Sequence, residues 1–413
     1  MDKIPFARPF IGKEEEEAVL SVLRSGWLTT AQETLEFEKE FGDFFGSSKE
    51  LYCMAVNSAT SGLHLALEAL GISNGDIVIT PSMTFTATAE VVRYLGAEVV
   101  FVDVAKDSFH MDPNALESVL QRLENGLPAY PSRNGSGNEG FGPRGKAKAV
   151  MPVHYGGLPC DMDAILPIAE KHGIKVIEDA AHSFPAYIES SGDIRKWAGL
   201  MGDAGVFSFY ATKTISTGEG GMVVTHDKSV SDRIRIMRSH GIDRSIFNRY
   251  TDTKASWYYE VIEPGFKYNI PDILSALGRV QLRRANKLLA MRLELARSYD
   301  EAFGNDLHFT VPPCSAGDAR HLYPLRLNTE TLSINRDEFA AKIQEQGVGI
   351  SVHFIPLHTM PYYKKRYALE DFDFPETLNT YKRTISLPLW PGMTDSQINR
   401  VITVVKTLAS EYN

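Results

Sequence analysis

Apolar residues along this chain recur at two spacings that alternate from about residue 50 to residue 225. Short β-rich runs at Leu51–Val56, Ile77–Thr80, Glu98–Val102, Ala147–Pro152, Ile174–Ile177 and Ala204–Phe209 predict strands. Between them the apolar spacing turns helical. Leu63, Ala66, Leu67 and Leu70 share one face of a helix predicted over Thr60 to Leu70, with Gly71 as its stop, and Met162 to Lys171 repeats the pattern. Strands divided by helices predict the α/β class, with a mainly parallel sheet covered on both faces. Ligands of such sheets bind beyond the C-terminal strand ends. Asp103, Asp179 and the loop reaching Lys213 all fall there.

Residues 126–145, GLPAYPSRNGSGNEGFGPRG, break the alternation with Gly, Pro, Ser and Asn and carry no hydrophobic period. They predict an exposed, mobile surface insertion, with a functional lid as the alternative. From Pro271 a long helical stretch, QLRRANKLLAMRLELARSYDEAF, leads to a C-terminal unit. There, strand patterns at Leu322–Leu327 and Ile350–Phe354 mix with helices at Arg336–Gln346 and Asp395–Tyr412. The expected division is a large domain over 1–270 and a linking helix with a small α+β domain over 271–413. A chain of 413 residues is long enough for two cores.

Composition narrows the class. A net charge of −9 with dispersed basic residues gives no footprint for nucleic acid. No apolar run suits a signal peptide or a membrane span. Cys53, Cys160 and Cys314 are odd in number and far apart, as expected of reduced thiols in a cytoplasmic protein.

The candidate chemistry centres on Lys213, in FSFYATK after an apolar strand, and on Asp179, which ends the strand IKVIED. An amine and a carboxylate beyond two strand ends suit pyridoxal 5′-phosphate. The lysine forms a Schiff base with the aldehyde and the acid keeps the pyridine nitrogen protonated. Asn57–Ser61, between a strand and a helix, offers open backbone N–H groups at Ala59 and Thr60 for a phosphate, although alone it reads as a good N-cap. The Ser208 hydroxyl can assist. Phe85 follows a strand end and can stack on the ring, or belong to the core. His182, three residues after Asp179, is a candidate for contact with the ring or its phenolate oxygen, against an ordinary structural histidine. Gly218-Glu219-Gly220-Gly221 reads as a tight turn. His353 and His358 lack the spacing and companions of a metal site, so no metal is expected.

These segments resemble the DegT/DnrJ/EryC1/StrS sugar aminotransferases, within the fold type I pyridoxal phosphate enzymes. The likeness runs from PFIG at Pro9 and SGWLTT at Ser25 through NSATSG, TPSMTF, PVHY, EDAAH, SFYATK and PGFKYN to SLPL at Ser386. It implies that Lys213 is the Schiff-base residue and Asp179 the partner of the pyridine nitrogen. It implies further that Ala59, Thr60 and Ser208 bind phosphate, that Phe85 stacks and that His182 lies by the ring. By the same resemblance Asn269 reaches the phosphate of the other subunit, so the chain is expected to form a homodimer with shared active sites. NSAT, TPSMT, PVHY, EDAAHS and PGFKYN resemble most the aminotransferase making UDP-4-amino-4-deoxy-L-arabinose. The chain departs from that subgroup at Ala31-Gln32, where Gly-Pro is frequent, in the 126–145 insertion, and at Phe85, where tryptophan is usual.

The implied activity is transfer of an amino group, with glutamate as donor, to a nucleotide-linked keto-sugar. Two alternatives stand beside it. Deoxysugar dehydratases of this frame carry histidine in place of the lysine, which Lys213 opposes. A non-catalytic regulator would be expected to have lost Asp179 or Lys213.

Overall fold

The computed structural model describes residues 3–133, 139–190, 194–243 and 258–413. The strands, in chain order, are β1 Tyr52–Val56, β2 Ile77–Pro81, β3 Glu98–Val102, β4 Tyr130–Pro131, β5 Gly140–Phe141, β6 Ala147–Val150 and β7 Lys175–Asp179. There follow β8 Tyr187–Ser190, β9 Ile194–Trp197, β10 Ala204–Ser208, β11 Gly221–Thr225, β12 Phe309–Thr310, β13 Tyr323–Leu327 and β14 Thr384–Leu387. Seven of them form one sheet in the order β1-β11-β10-β7-β6-β2-β3. Only β11 runs against its neighbours, and the pairs from β10 through to β3 are parallel.

Side-chain alternation buries both faces. Val206 of β10 and Val223 of β11 join one apolar cluster with Leu63 and Leu67 of the helix Ala59–Ala69. Phe207, Phe209 and Met222 join a second with Phe37 and Phe41 of the helix Gln32–Phe44. Helix Ala59–Ala69 lies tight against the sheet because Gly62 has no side chain: a Cβ there would come within 2.7 Å of Val206. A third cluster gathers Leu295, Tyr299, Phe303, Leu325, Phe339, Val401 and Val405, with Ile4 from the N-terminus, around the antiparallel sheet β12-β13-β14.

Several expectations are corrected. The stretch after Pro271 is two helices, Asp272–Arg283 and Ala285–Phe303, separated at Arg284. Residues 350–354 form no regular strand. Ser351 makes one bridge to Ser386, and β14 takes the place beside β13. The 126–145 insertion is anchored rather than loose where it is described: β4 pairs with β5, and buried Tyr130 accepts a hydrogen bond at its hydroxyl from the Phe101 N–H at 2.8 Å. Residues 134–138 of that segment lie outside the described residues. Asp103 sits at a strand end but holds the start of the helix Pro375–Arg383, accepting from the N–H groups of Glu376 and Thr377 at 3.0 and 2.8 Å.

Candidate active site

A cleft of about 580 Å³ opens beyond the C-terminal ends of β7 and β10. Its lining includes Ala59, Thr60, Phe85, Asp179, His182, Ser208 and Lys213, so seven of the eight candidate residues meet in one place. The convergence follows from the sheet. β7 and β10 are adjacent and parallel, with Val206 in register with Asp179, so the chain leaves both strands on the same side. After Ser208 it turns back, the Lys213 N–H donating to Tyr210 O at 2.9 Å and the Thr217 N–H to Phe209 O at 2.9 Å. The Lys213 amine is thereby aimed into the cleft.

One end of the cleft is the N-terminus of helix Ala59–Ala69. Ser58 caps it by accepting from the Ser61 N–H at 3.1 Å, and the first helical backbone bond runs from Gly62 N to Ser58 O. The N–H groups of Ala59 and Thr60 precede that bond and have no intrahelical acceptor. With the helix dipole behind them, they form a site for an anion. Gly221 makes room for it: a Cβ there would lie 2.8 Å from the Ala59 nitrogen and from Phe207 O. The glycine run is thus a turn at Gly218, where φ is +84°, and a close-packing site at Gly221.

The floor holds Asp179, 5% exposed. Its carboxylate accepts from Thr88 Oγ1 at 2.8 Å and from the Ala181 N–H at 3.1 Å. Burial raises its pKa, against the lowering effect of those hydrogen bonds and of the Lys213 charge. Among the described residues no cationic nitrogen lies within ion-pair distance of it. A buried carboxylate so placed favours a protonated ring nitrogen in the cleft. Burial lowers the Lys213 pKa to about 7, with Asp179 opposing and the Arg292 charge adding to the fall.

Phe85 is 56% exposed at the mouth, its ring centroid 5.9 Å from that of Phe354. His182 is buried, and its Nδ1 accepts from the Gly156 N–H at 3.2 Å, which leaves Nε2 to carry the proton. Asn269 does not line the cleft. It pairs by its backbone with Val56 at the end of β1, donates from Nδ2 to Thr30 Oγ1 at 2.6 Å, and leaves Oδ1 buried without a partner.

Sequence reasoning missed three contributors. Thr88 holds Asp179 and is itself paired with Thr84 Oγ1 at 2.7 Å. His321 Nε2 lies 3.4 Å from Lys213 Nζ, and its Nδ1 is buried and unpaired. Arg292, on helix Ala285–Phe303, donates to the carbonyls of Thr212 and His321 at 3.3 and 3.2 Å. Thr88 stood close to the TPSMTF signal, whereas the other two carry no local motif. Behind the floor, buried Glu178 accepts from the Gly199, Met201 and Gly202 N–H groups at 2.8, 2.6 and 2.6 Å and pairs with His154 Nε2 at 2.8 Å. Cys160 N–H donates to His154 Nδ1 at 3.0 Å, so the imidazole proton sits on Nε2, toward Glu178.

Comparison with known proteins places this geometry. The profile of the DegT/DnrJ/EryC1/StrS aminotransferase family matches residues 9–406. The spore coat polysaccharide biosynthesis protein SpsC of Bacillus subtilis is 40% identical over 410 residues, covering 98% of this chain and 97% of that one. Among solved structures, Spr1654 of Streptococcus pneumoniae in its PLP form superposes with a TM-score of 0.83 at 27% identity, over 99% of each chain. The same protein is also known in a PMP form. Helicobacter pylori PseC, an aminotransferase involved in the biosynthesis of pseudoaminic acid, gives a TM-score of 0.84 at 26% identity over the whole of both chains.

Proposed function

Because the chain belongs to the DegT/DnrJ/EryC1/StrS aminotransferase family, we propose that it transfers an amino group from glutamate to a nucleotide-linked keto-sugar. Its fold is that of the fold type I enzymes and its cofactor is pyridoxal 5′-phosphate. When bound, the cofactor supplies an electrophilic aldehyde and a ring that accepts electrons while its nitrogen is protonated.

The observation that carries the reading is the single cleft holding the Ala59–Thr60 anion site, the buried Asp179 carboxylate and the Lys213 amine. Ala59 and Thr60 N–H groups, with Ser208, hold the phosphate. Asp179 keeps a proton on the ring nitrogen, and Phe85 covers one face. His182, with its proton on Nε2, hydrogen-bonds beside the ring. Lys213 Nζ, with a proton affinity near neutrality, takes the proton from the Cα of the amino donor and later returns one to the sugar carbon that receives the amine. The retained lysine argues for transamination over dehydration.

Asn269 completes the phosphate site of a second copy, which makes the working unit a homodimer with shared sites. Its absence from the lining of its own cleft supports that reading. Among the described residues no helix is long and apolar enough to cross a membrane, and Cys53 and Cys160 are buried and free. Those facts fit a cytoplasmic enzyme. The motif likeness to the enzyme making UDP-4-amino-4-deoxy-L-arabinose puts UDP-linked keto-sugars first among substrates. The test is a panel of UDP-, dTDP- and GDP-keto-sugars with glutamate, read by mass spectrometry of the amino-sugar product. Amination of none of them, by protein that holds its cofactor, would overturn the substrate class.

A further inference from the structure

Arg292 is the most unusual charge near the cleft. It is 2% exposed in the middle of helix Ala285–Phe303. Its hydrogen-bond acceptors are three backbone carbonyls: Leu389 at 2.8 Å, His321 at 3.2 Å and Thr212 at 3.3 Å. Its Nε has no partner. Among the described residues no carboxylate neutralises it, and burial alone draws its pKa down to about 10. A buried guanidinium without a counter-ion is costly, and filling space alone would not require a charged side chain there. Packing therefore does not account for the charge.

Its acceptors do. Thr212 directly precedes Lys213, and His321 places Nε2 3.4 Å from Lys213 Nζ. One planar group thus ties the lysine loop to the segment opposite. We propose that Arg292 is a positioning residue for Lys213: it fixes the amine against His321 and, by its unneutralised charge, favours the neutral form that accepts a proton. The inference rests on the proton-transfer role given to Lys213 above. The titratable groups that share the cleft with the amine are Asp179, His182, His321 and His353, with Tyr210 and Glu219 at exposed positions of the lining. Only Asp179 favours the charged amine. His182 and His321 are held far below their ordinary pKa by burial first and then by the Lys213 charge, so they stay neutral and leave Arg292 as the balancing cation.

The two roles separate in two variants. Arg292→Lys keeps a cation but loses the planar, three-carbonyl geometry, and Arg292→Met loses both. The measurement is acylation of Lys213 by acetic anhydride in protein freed of cofactor, followed against pH by peptide mass spectrometry. The wild type is expected at half-maximal reactivity near pH 7. Arg292→Met should titrate higher by at least about one pH unit, so that acylation at neutral pH is about tenfold slower. Arg292→Lys should titrate close to wild type yet, reloaded with cofactor, lose kcat with little change in KM for glutamate. Equal titration of wild type and a folded Arg292→Met would overturn the electrostatic role. So would equal titration of Arg292→Gln, which keeps amide donors for the carbonyls without the charge and serves as the test if the methionine variant does not fold. An Arg292→Lys enzyme with wild-type kcat would overturn the clamp. An Arg292-dependent titration in a protein that never aminates a sugar would defeat the proposed function and leave this inference standing.

Discussion

Thr88→Val probes the floor of the cleft at almost constant volume. Thr88 is fully buried, and its hydroxyl donates to Asp179 at 2.8 Å while pairing with Thr84 at 2.7 Å. A hydrogen bond to a charged group contributes about 1.5–3 kcal/mol, and its loss raises the pKa of the Asp179 carboxyl. The sign is fixed by which form the bond favours. Thr88 stabilises the carboxylate, burial already raises the pKa, and loss of the hydroxyl raises it further. The carboxylate is the form that keeps the ring nitrogen protonated. The loss should therefore be greatest at low pH and shrink as pH rises through the raised pKa. Steady-state kinetics from about pH 6 to about pH 9 should show kcat down by about tenfold or more at the acid end, partly recovering at the alkaline end. Stability should fall by about 1 kcal/mol for the orphaned Thr84 hydroxyl, a separate effect visible in thermal melting. A double-mutant cycle isolates the interaction: in an Asp179→Asn background Thr88→Val should have little further effect on kcat. A variant within about twofold of wild type at every pH, or an undiminished loss in the asparagine background, would show that Thr88 does not act through Asp179.

Lys213→Ala should abolish turnover while the fold survives, and glutamate should no longer bleach the visible absorbance of the cofactor-loaded protein; retained turnover would remove Lys213 from the chemistry. Asp179→Asn should keep some cofactor but lose at least about tenfold in kcat, since a neutral amide forfeits a charge-assisted bond of about 1.5–3 kcal/mol. Gly221→Ala should push the start of helix Ala59–Ala69 away from the sheet, at a cost of about 1–3 kcal/mol, and weaken cofactor affinity before kcat at saturating cofactor. Subunits carrying Lys213→Ala mixed with subunits carrying Asn269→Ala should regain activity above either parent, because one site of each mixed dimer joins an intact Lys213 to an intact Asn269. No recovery in verified mixed dimers would place Asn269 outside a shared site.

Legibility in the sequence followed the range of the interactions. Asp179 and Lys213 were readable because each ends or follows an apolar strand, and neighbouring parallel strands deliver such ends to one side of a sheet. The Ala59–Thr60 anion site was readable because a strand, a cap and a helix lie within a few residues of one another. His321 and Arg292 were invisible for the opposite reason. They come from the segment preceding β13 and from the middle of a long helix, and reach Lys213 and the carbonyl of Thr212 beside it only through tertiary packing. Asp103 shows the converse error: a strand-end acid has the right address for a ligand, yet here its oxygens are taken by the start of a distant helix.

The misread segments share a cause as well. Ile350–Phe354 alternates like a strand, but its partner position beside β13 goes to β14, and its residues Ser351, His353 and Phe354 face the cleft instead. A hydrophobic period reports which residues avoid water and leaves open whether a sheet edge or a ligand pocket covers them. The insertion failed on the other count. Gly and Pro density signalled a loop, while two aromatics, Tyr130 and Phe141, pack with ring centroids 5.2 Å apart and seat the segment against β3 through the Tyr130 hydroxyl. Neither ring repeats at any period, so a reading built on periodicity passes over them. Their anchoring also bears on the site: a hinged lid would have to break the buried Tyr130 contact with Phe101 each time it opened, leaving a backbone N–H without its acceptor. The described ends of this insertion are therefore built to stay in place.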